Sequence, residues 1–326
     1  VLEIDLHFAS INQGGIFMGK KVRVDKTVPE CWGEYLAEFI YFKKAQGLSE
    51  CTLNDYQIHV TRFCKRFPDA FKGSLKKDLY AYMSQQVKPA TYNLRLIYLR
   101  TFLTWCVEEG YLDSNPLVGF KKRQDEGRVV DVDEDIIRQL LLLPDQKTFA
   151  GIRDYALIIL TLDTGIRPGE AFGLMARNID SRTGYVVIEA ANAKTRSMRG
   201  LPITHTTSMA IRNLLSVRHE KWGDDVPVFC TCDGGSFTAT TWGDRLEMYC
   251  KKLGVHLRPY DLRHAFATLF LRQGGNVFAL QKMMGHKTLS MTKRYIAITE
   301  NDLSEQHEKA SPVSKMFEQK QRVRKV

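Results

Sequence analysis

The feature that most constrains this chain is an interruption. Residues 121–128, KKRQDEGR, carry no apolar side chain, while stretches with helical apolar spacing lie on both sides. A core cannot run through a segment with nothing to bury, so the spacing predicts two cores, one before the gap and one after. The 326 residues suffice for two domains of ordinary size. The expected organisation is an extension over 1–27, a helical domain over 28–120, a basic linker over 121–128, a second domain over 129–310 and a tail over 311–326.

In the extension, Leu2, Ile4, Leu6 and Phe8 alternate with polar residues as a strand would, and no role is readable from them. The domain that follows reads as helices. Ser49 is placed to cap one, and Leu53, Tyr56, Val60, Phe63, Cys64 and Phe67 fall on one side of it, leaving Arg62, Lys65 and Arg66 off that stripe. Another helix opens after Pro89, buries Tyr92, Leu96, Leu99, Leu103 and Cys106, and stops at Gly110. Lys88, Thr91 and Arg95 share a face by their spacing of three and four. Residues 62–77 hold six basic side chains against the single Asp69. The whole chain has a formal net charge of +10, which points to a polyanionic partner with nucleic acid as the first candidate. Arg62, Lys65, Arg66, Lys88, Thr91 and Arg95, with Lys121, Lys122 and Arg123 of the linker, are the candidate phosphate contacts.

The second domain opens on Asp131-Val-Asp-Glu-Asp135, which reads as acidic caps at a helix N-terminus rather than as a metal site. An apolar helix over 152–162, two short strands over 185–189 and 200–204, and helices over 207–219, 241–253, 262–273, 277–284 and 291–298 complete it. The expected fold class is therefore mainly α with a small antiparallel β-sheet. The near-continuous apolar run over 155–162 is far shorter than the roughly 20 residues that span a bilayer. Seven cysteines, an odd number, suit reduced thiols, and no basic segment leads into an apolar signal core, so a cytoplasmic protein is expected. Cys230-Thr-Cys232 lacks a second pair at zinc spacing, and no Gly-rich phosphate loop ends in Lys-Ser or Lys-Thr, so neither metal, nucleotide nor other cofactor is expected.

Four segments put charged or nucleophilic groups at the ends of regular elements. They are TGIRPGEA (164–171), the turn NAKTRSMRGLPIT (192–204), RPYDLRHAFAT (258–268) and MGHKTLSMTKRY (284–295). In this order they resemble the signature of the tyrosine recombinase, or phage-type integrase, family. The helices around LSECTLNDYQIHVTRF and KPATYNLRLIYLRTFLTW resemble that family's SAM-like core-binding domain. The likeness covers about residues 28–300 and implies a helical core-binding domain followed by a catalytic domain.

The resemblance implies that Arg167 and Arg263 clamp the scissile phosphate, Glu170 supports Arg167, and Lys194 is the general acid toward the leaving 5′ oxygen. His286 matches the family's second histidine and Tyr295 its nucleophile. One position departs: where the family has histidine, this chain has Tyr260, whose phenol can donate a hydrogen bond but cannot shuttle protons near neutral pH as imidazole can. His264, next to Arg263, is read as structural. The implied activity is site-specific DNA recombination through a 3′-phosphotyrosyl intermediate, without metal or ATP, by a homotetramer on two duplexes, for a phage or other mobile element. A type IB topoisomerase-like relaxing enzyme and a non-catalytic DNA-binding accessory protein stand as alternatives.

Overall fold

A computed structural model describes residues 31–125, 132–180, 182–190, 193, 197–293, 295–296, 307 and 311–313. The extension over 1–27 and Lys194 lie outside the described residues. The chain divides into two compact units, Val1–Gly127 and Arg128–Val326.

The first unit holds helices α1 (Trp32–Ala45), α2 (Glu50–Arg66), α3 (Leu75–Met83) and α4 (Pro89–Glu108). Ser49 Oγ accepts from the Thr52 N–H at 3.4 Å, which starts α2, and Pro89 starts α4 where its missing N–H costs nothing. α4 buries Tyr92, Leu96, Leu99, Phe102, Leu103, Trp105 and Cys106. The Phe39 ring meets Tyr56, Phe102 and Trp105 edge-on, with centroids 5.0, 5.3 and 5.4 Å away. Edge-to-face pairs at such distances add about 1 kcal/mol each beyond area burial. The Asn93 amide exchanges two hydrogen bonds with the Arg123 backbone, at 2.8 and 2.9 Å, so the chain beyond α4 is tied to that helix as far as Arg123.

The second unit contains α5 (Glu134–Leu142), α6 (Phe149–Thr164), α7 (Pro168–Phe172), strands β1 (Ile179–Asp180), β2 (Tyr185–Ile188) and β3 (Arg199–Pro202), then α8 (His205–Ser216), α9 (Ala239–Leu253), α10 (Pro259–Arg272), α11 (Val277–Met284) and α12 (Ser290–Lys293). Asp133 accepts from the Asp135 N–H at 2.9 Å and caps α5, as an acidic helix start should. α6 is buried along most of its length, and Leu157, Leu160, Val186, Leu201, Ile211, Leu246 and Leu262 pack in one core. The sheet is an antiparallel meander in the order β1-β2-β3, with Val186 opposite Leu201 and Ile188 opposite Arg199. Side-chain alternation along β3 turns Leu201 and Arg199 to the same buried side.

The fold is mainly helical with a small antiparallel sheet. β1 is an addition to the expected hairpin; two residues are too few to show a period. α10 begins at Pro259 rather than at 262, because Pro259 takes the first helical position and Asp261 accepts from the Arg258 N–H at 2.9 Å. Arg263 therefore stands one turn inside the helix rather than in its first turn. No described helix is long and apolar enough to cross a membrane.

Candidate active site

The site is built on one buried carboxylate. α7 is a five-residue helix with Arg167 at its N-cap and Pro168 at its first position, which puts Glu170 in the first turn. One Glu170 oxygen accepts from the Arg167 backbone N–H at 3.2 Å, while the other takes the Arg167 guanidinium at 2.9 Å. From β3, Arg199 reaches the same carboxylate with both terminal nitrogens, at 3.1 and 2.5 Å. Burial alone would raise the Glu170 pKa. The hydrogen bond and charge of Arg199, then the charge of Arg167, outweigh it and hold the carboxyl below its ordinary range.

The C-terminus of α11 supplies the second anchor. Three consecutive carbonyls each accept from a different arginine: Met283 from Arg199 Nε at 3.1 Å, Met284 from Arg263 Nη2 at 2.6 Å, and Gly285 from Arg167 Nη2 at 3.0 Å. The last carbonyls of a helix have no internal partners and carry its partial negative charge, so guanidinium groups satisfy them well. Gly285 ends α11 at φ 60°, and a Cβ there would stand 3.2–3.3 Å from the Arg199 and Arg167 guanidinium atoms, so both glycine's conformation and its size are used. Arg263 Nη1 also donates to the Gly165 carbonyl at the end of α6.

Two buried guanidinium groups thus share one carboxylate, and a third lies beside them. Arg263 is 3% exposed, and its hydrogen-bond partners are carbonyls and His286. Burial first, then the neighbouring charge of Arg167, push its pKa down to about 10, while Glu170 and Tyr295 pull the other way. The cage has positive charge left over, in a dry setting where that charge acts strongly.

Two imidazoles complete the group. His286 follows α11 directly; its Nε2 lies 3.4 Å from Arg263 Nη2 and its Nδ1 2.8 Å from Thr292 Oγ1 on α12. Arginine can only donate, so the tautomer that suits both contacts carries its proton on Nδ1. Tyr295 is 8% exposed and packs among Phe266, Ala267, Leu280 and Met284. Its hydroxyl lies 2.5 Å from Nδ1 of His264.

The structure thus brings Arg167, Glu170, Arg263 and His286 into one cluster, with Tyr295 close enough to act on the Arg263 charge. Tyr260, second residue of α10, remains 49% exposed. Two residues escaped the sequence reading. His264, expected to be structural, meets the Tyr295 hydroxyl; adjacent helix positions point about 100° apart, and sequence alone does not say which way each faces. Arg199 had only an inward register on an expected strand to mark it, and that register emerges from the pairing of β2 with β3.

In the first unit, Arg62, Lys65 and Arg66 are exposed along α2 and line an open groove of about 740 Å³ with Asn54, Gln57, Ile58 and Thr61. Lys88, Lys121 and Lys122 are exposed and Thr91 is half-buried. Arg123 lays its guanidinium 3.9 Å over the Tyr92 ring. Arg95 turns inward: its Nη1 donates to the Tyr82 carbonyl at 3.1 Å and to Gln85 Oε1 at 3.0 Å, and its guanidinium stacks 4.2 Å over the Tyr82 ring. The spacing that aligns Arg95 with Lys88 and Thr91 is correct for the backbone, but the long side chain reaches back over the end of α3 instead of extending outward.

The family model described as the phage integrase family matches residues 131–302. Tyrosine recombinase XerC of Haemophilus influenzae strain PittEE is 32% identical over 234 residues, covering 71% of this chain and 78% of that protein. XerC of Proteus mirabilis is 29% identical over 307 residues, covering 88% of this chain and 97% of its own. Among solved structures, the Tn1549 transposon integrase in complex with a circular intermediate DNA matches with TM-score 0.65 at 18% identity, over 85% of this chain and 98% of that one. A lambda integrase tetramer bound to a Holliday junction matches with TM-score 0.65 at 17% identity, over 81% and 77%. The family model spans more than half of the chain, and the XerC likeness extends over most of it, so the chain belongs to the phage integrase family and is a tyrosine-type site-specific DNA recombinase.

Proposed function

We propose that Tyr295 is the nucleophile and that Arg167 and Arg263 hold the scissile phosphate, with Glu170 fixing Arg167. The observation that carries this reading is the surplus of positive charge in the cage beside the Tyr295 ring, three guanidinium groups against one carboxylate. Displacement at a phosphodiester develops negative charge on the non-bridging oxygens, and fixed guanidinium groups stabilise it where it forms. The Tyr295 oxygen bonds to phosphorus, the P–O5′ bond breaks, and the 5′ oxygen leaves protonated, with Lys194 as its acid. The 3′-phosphotyrosyl link keeps the bond energy, so a 5′-hydroxyl from another strand reverses the step without ATP. His286, its Nε2 turned to Arg263, orients that guanidinium, and Tyr260 donates to a phosphate oxygen.

In this reading residues 28–120 form the core-binding domain, 121–128 the linker, 129–310 the catalytic domain and 311–326 a tail. Arg62, Lys65, Arg66, Lys88, Thr91, Lys121, Lys122 and Arg123 contact DNA phosphates, whereas Arg95 supports the first unit from within. The enzyme works in the cytoplasm as a homotetramer on two duplexes and serves a mobile element. The structural likeness to a transposon integrase and to a lambda integrase tetramer supports this through the shared fold. Tyr295→Phe tests the central claim. The variant is expected to bind a nicked suicide duplex as the natural protein does and to form no covalent adduct; an adduct of equal yield would overturn the assignment.

A further inference from the structure

We propose that His264 is a catalytic residue, the base that takes the phenolic proton from Tyr295. The inference rests on Tyr295 as the nucleophile and names what activates it. A phenol of ordinary acidity is ionised to only about one part in a thousand at neutral pH, so a tyrosine nucleophile gains from a base already in contact with its hydroxyl. Three positions compete for that task, two of them imidazoles. Position 260, where the family resemblance leads one to expect histidine, holds a phenol that is 49% exposed. His286 has Nε2 3.4 Å from a guanidinium nitrogen and Nδ1 2.8 Å from Thr292, and a lone pair aimed at a cation is a poor proton acceptor. His264 Nδ1 lies 2.5 Å from the reacting oxygen Oη, within the reach required of a general base.

The geometry of α10 explains how one helix provides both functions. Arg263 and His264 are consecutive, so their side chains leave the helix about 100° apart. Arg263 faces the Gly165 and Met284 carbonyls while His264 faces Tyr295. Tyr260 lies one turn earlier, four residues before His264, so the base sits one turn along the helix from the position that the resemblance suggests. In the step itself, the Oη–P bond forms as the P–O5′ bond breaks. The phenolic proton passes to His264 Nδ1, and the 5′ oxygen takes a proton from the acid on the leaving side. Rejoining runs this in reverse, with the His264 proton returned to Oη.

The experiment compares His264→Gln on two backgrounds, one with natural Tyr295 and one with a trifluorotyrosine at 295, whose phenol is acidic enough to need no base. The probe is a nicked duplex carrying the DNA sequence recovered from covalent adducts of the natural protein, and the readout is the single-turnover rate of adduct formation. With natural tyrosine the substitution is expected to slow the reaction by roughly 10²–10³-fold, the range of general-base contributions. On the fluorinated background the loss should shrink to less than about tenfold, because little proton transfer remains to be assisted. Equal slowing on both backgrounds would overturn the proposal and leave His264 as packing, as would a natural-tyrosine variant within about threefold of the parent rate. A gel shift with the same duplex checks that each variant is folded and binds. An adduct that persists in Tyr295→Phe sinks the nucleophile assignment instead, so the two failures are told apart.

Discussion

Among the described residues of the second unit, arginines gather around a buried carboxylate twice, and the two clusters balance their charge differently. At Asp154, on α6, Arg153 donates two bonds of 3.0 and 2.8 Å, and Arg245 and Tyr249 donate from α9 at 2.6 and 2.8 Å. Arg153 gives its remaining terminal nitrogen to the Cys230 carbonyl at 2.9 Å and stacks on Phe237. Each arginine there reaches the carboxylate directly. At Glu170 two arginines share the carboxylate, and Arg263 beside them has only carbonyls and a histidine. The pKa shifts run in opposite directions, through deeper burial at Arg263 and direct pairing with a carboxylate at Arg245. Burial works against the charge of both Arg245 and Arg263, but Asp154 outweighs it at Arg245 and the net shift is upward, while Arg263 falls to about 10. One cluster is a finished crosslink between α6 and α9; the other is short of an anion. A phosphodiester supplies that anion, and its charge grows at the transition state.

The largest expected effects set these clusters against each other. Arg263→Ala should lower the rate of adduct formation by about 10³-fold, comparable to losing one main transition-state donor. It should cost less stability than Arg245→Ala, because the donors lost to the Gly165 and Met284 carbonyls are partly offset by removing a buried cation that bonds no carboxylate. Arg245→Ala should do the reverse. Asp154 keeps Arg153 and Tyr249 but loses the charged hydrogen bond from Arg245, which is expected to cost about 2–3 kcal/mol of stability, read by urea denaturation, with the folded fraction cleaving at the parental rate. Equal stability losses in the two variants would break the comparison.

How much of this could be read before the structure follows the physics of each element. Ser49, Pro89, Asp133 and the spacing of Leu96, Leu99 and Leu103 act locally, within one helix, and so the helical character of both units was legible. The small sheet was legible as a hairpin, and β1 was not. Arg167 and Glu170 are three residues apart on one short helix, so their pairing is also local. Arg199 is different: it reaches Glu170 from 29 residues away and Met283 from 84, and only the pairing of β3 with β2 turns it inward. The meeting of His264 with Tyr295 likewise spans 31 residues and depends on how α10 and α11 pack. Arg95 shows the converse, a position readable from periodicity whose side chain goes elsewhere.

Acid sharpens the comparison at the carboxylate. The folded-state pKa of Glu170 is depressed, so its stabilising contribution is fully present above the ordinary glutamate value of about 4.3 and is lost as pH falls through the lower folded value. Glu170→Gln should therefore be less stable than the parent by about 3 kcal/mol at neutral pH, since it leaves Arg167 and Arg199 without their shared anion. The gap should stay constant down to about pH 5 and narrow below about pH 4. Urea denaturation across that range measures it; a gap that widens on acidification would reverse the sign of the argument.

The smallest expected effect probes the missing anion directly. If Arg263 carries charge that Glu170 does not fully neutralise, a small oxyanion should bind there and favour the folded state by mass action. Inorganic sulfate at several times its dissociation constant should add about 1 kcal/mol, or about 2–4 °C in melting temperature for a unit of this size. Sulfate also stabilises proteins in general by exclusion from their surface, so the informative quantity is the part of the shift that Arg263→Ala loses and Arg245→Gln keeps. If both variants keep the whole shift, Arg263 is as fully neutralised as Arg245, and the cage is a second crosslink rather than a phosphate seat.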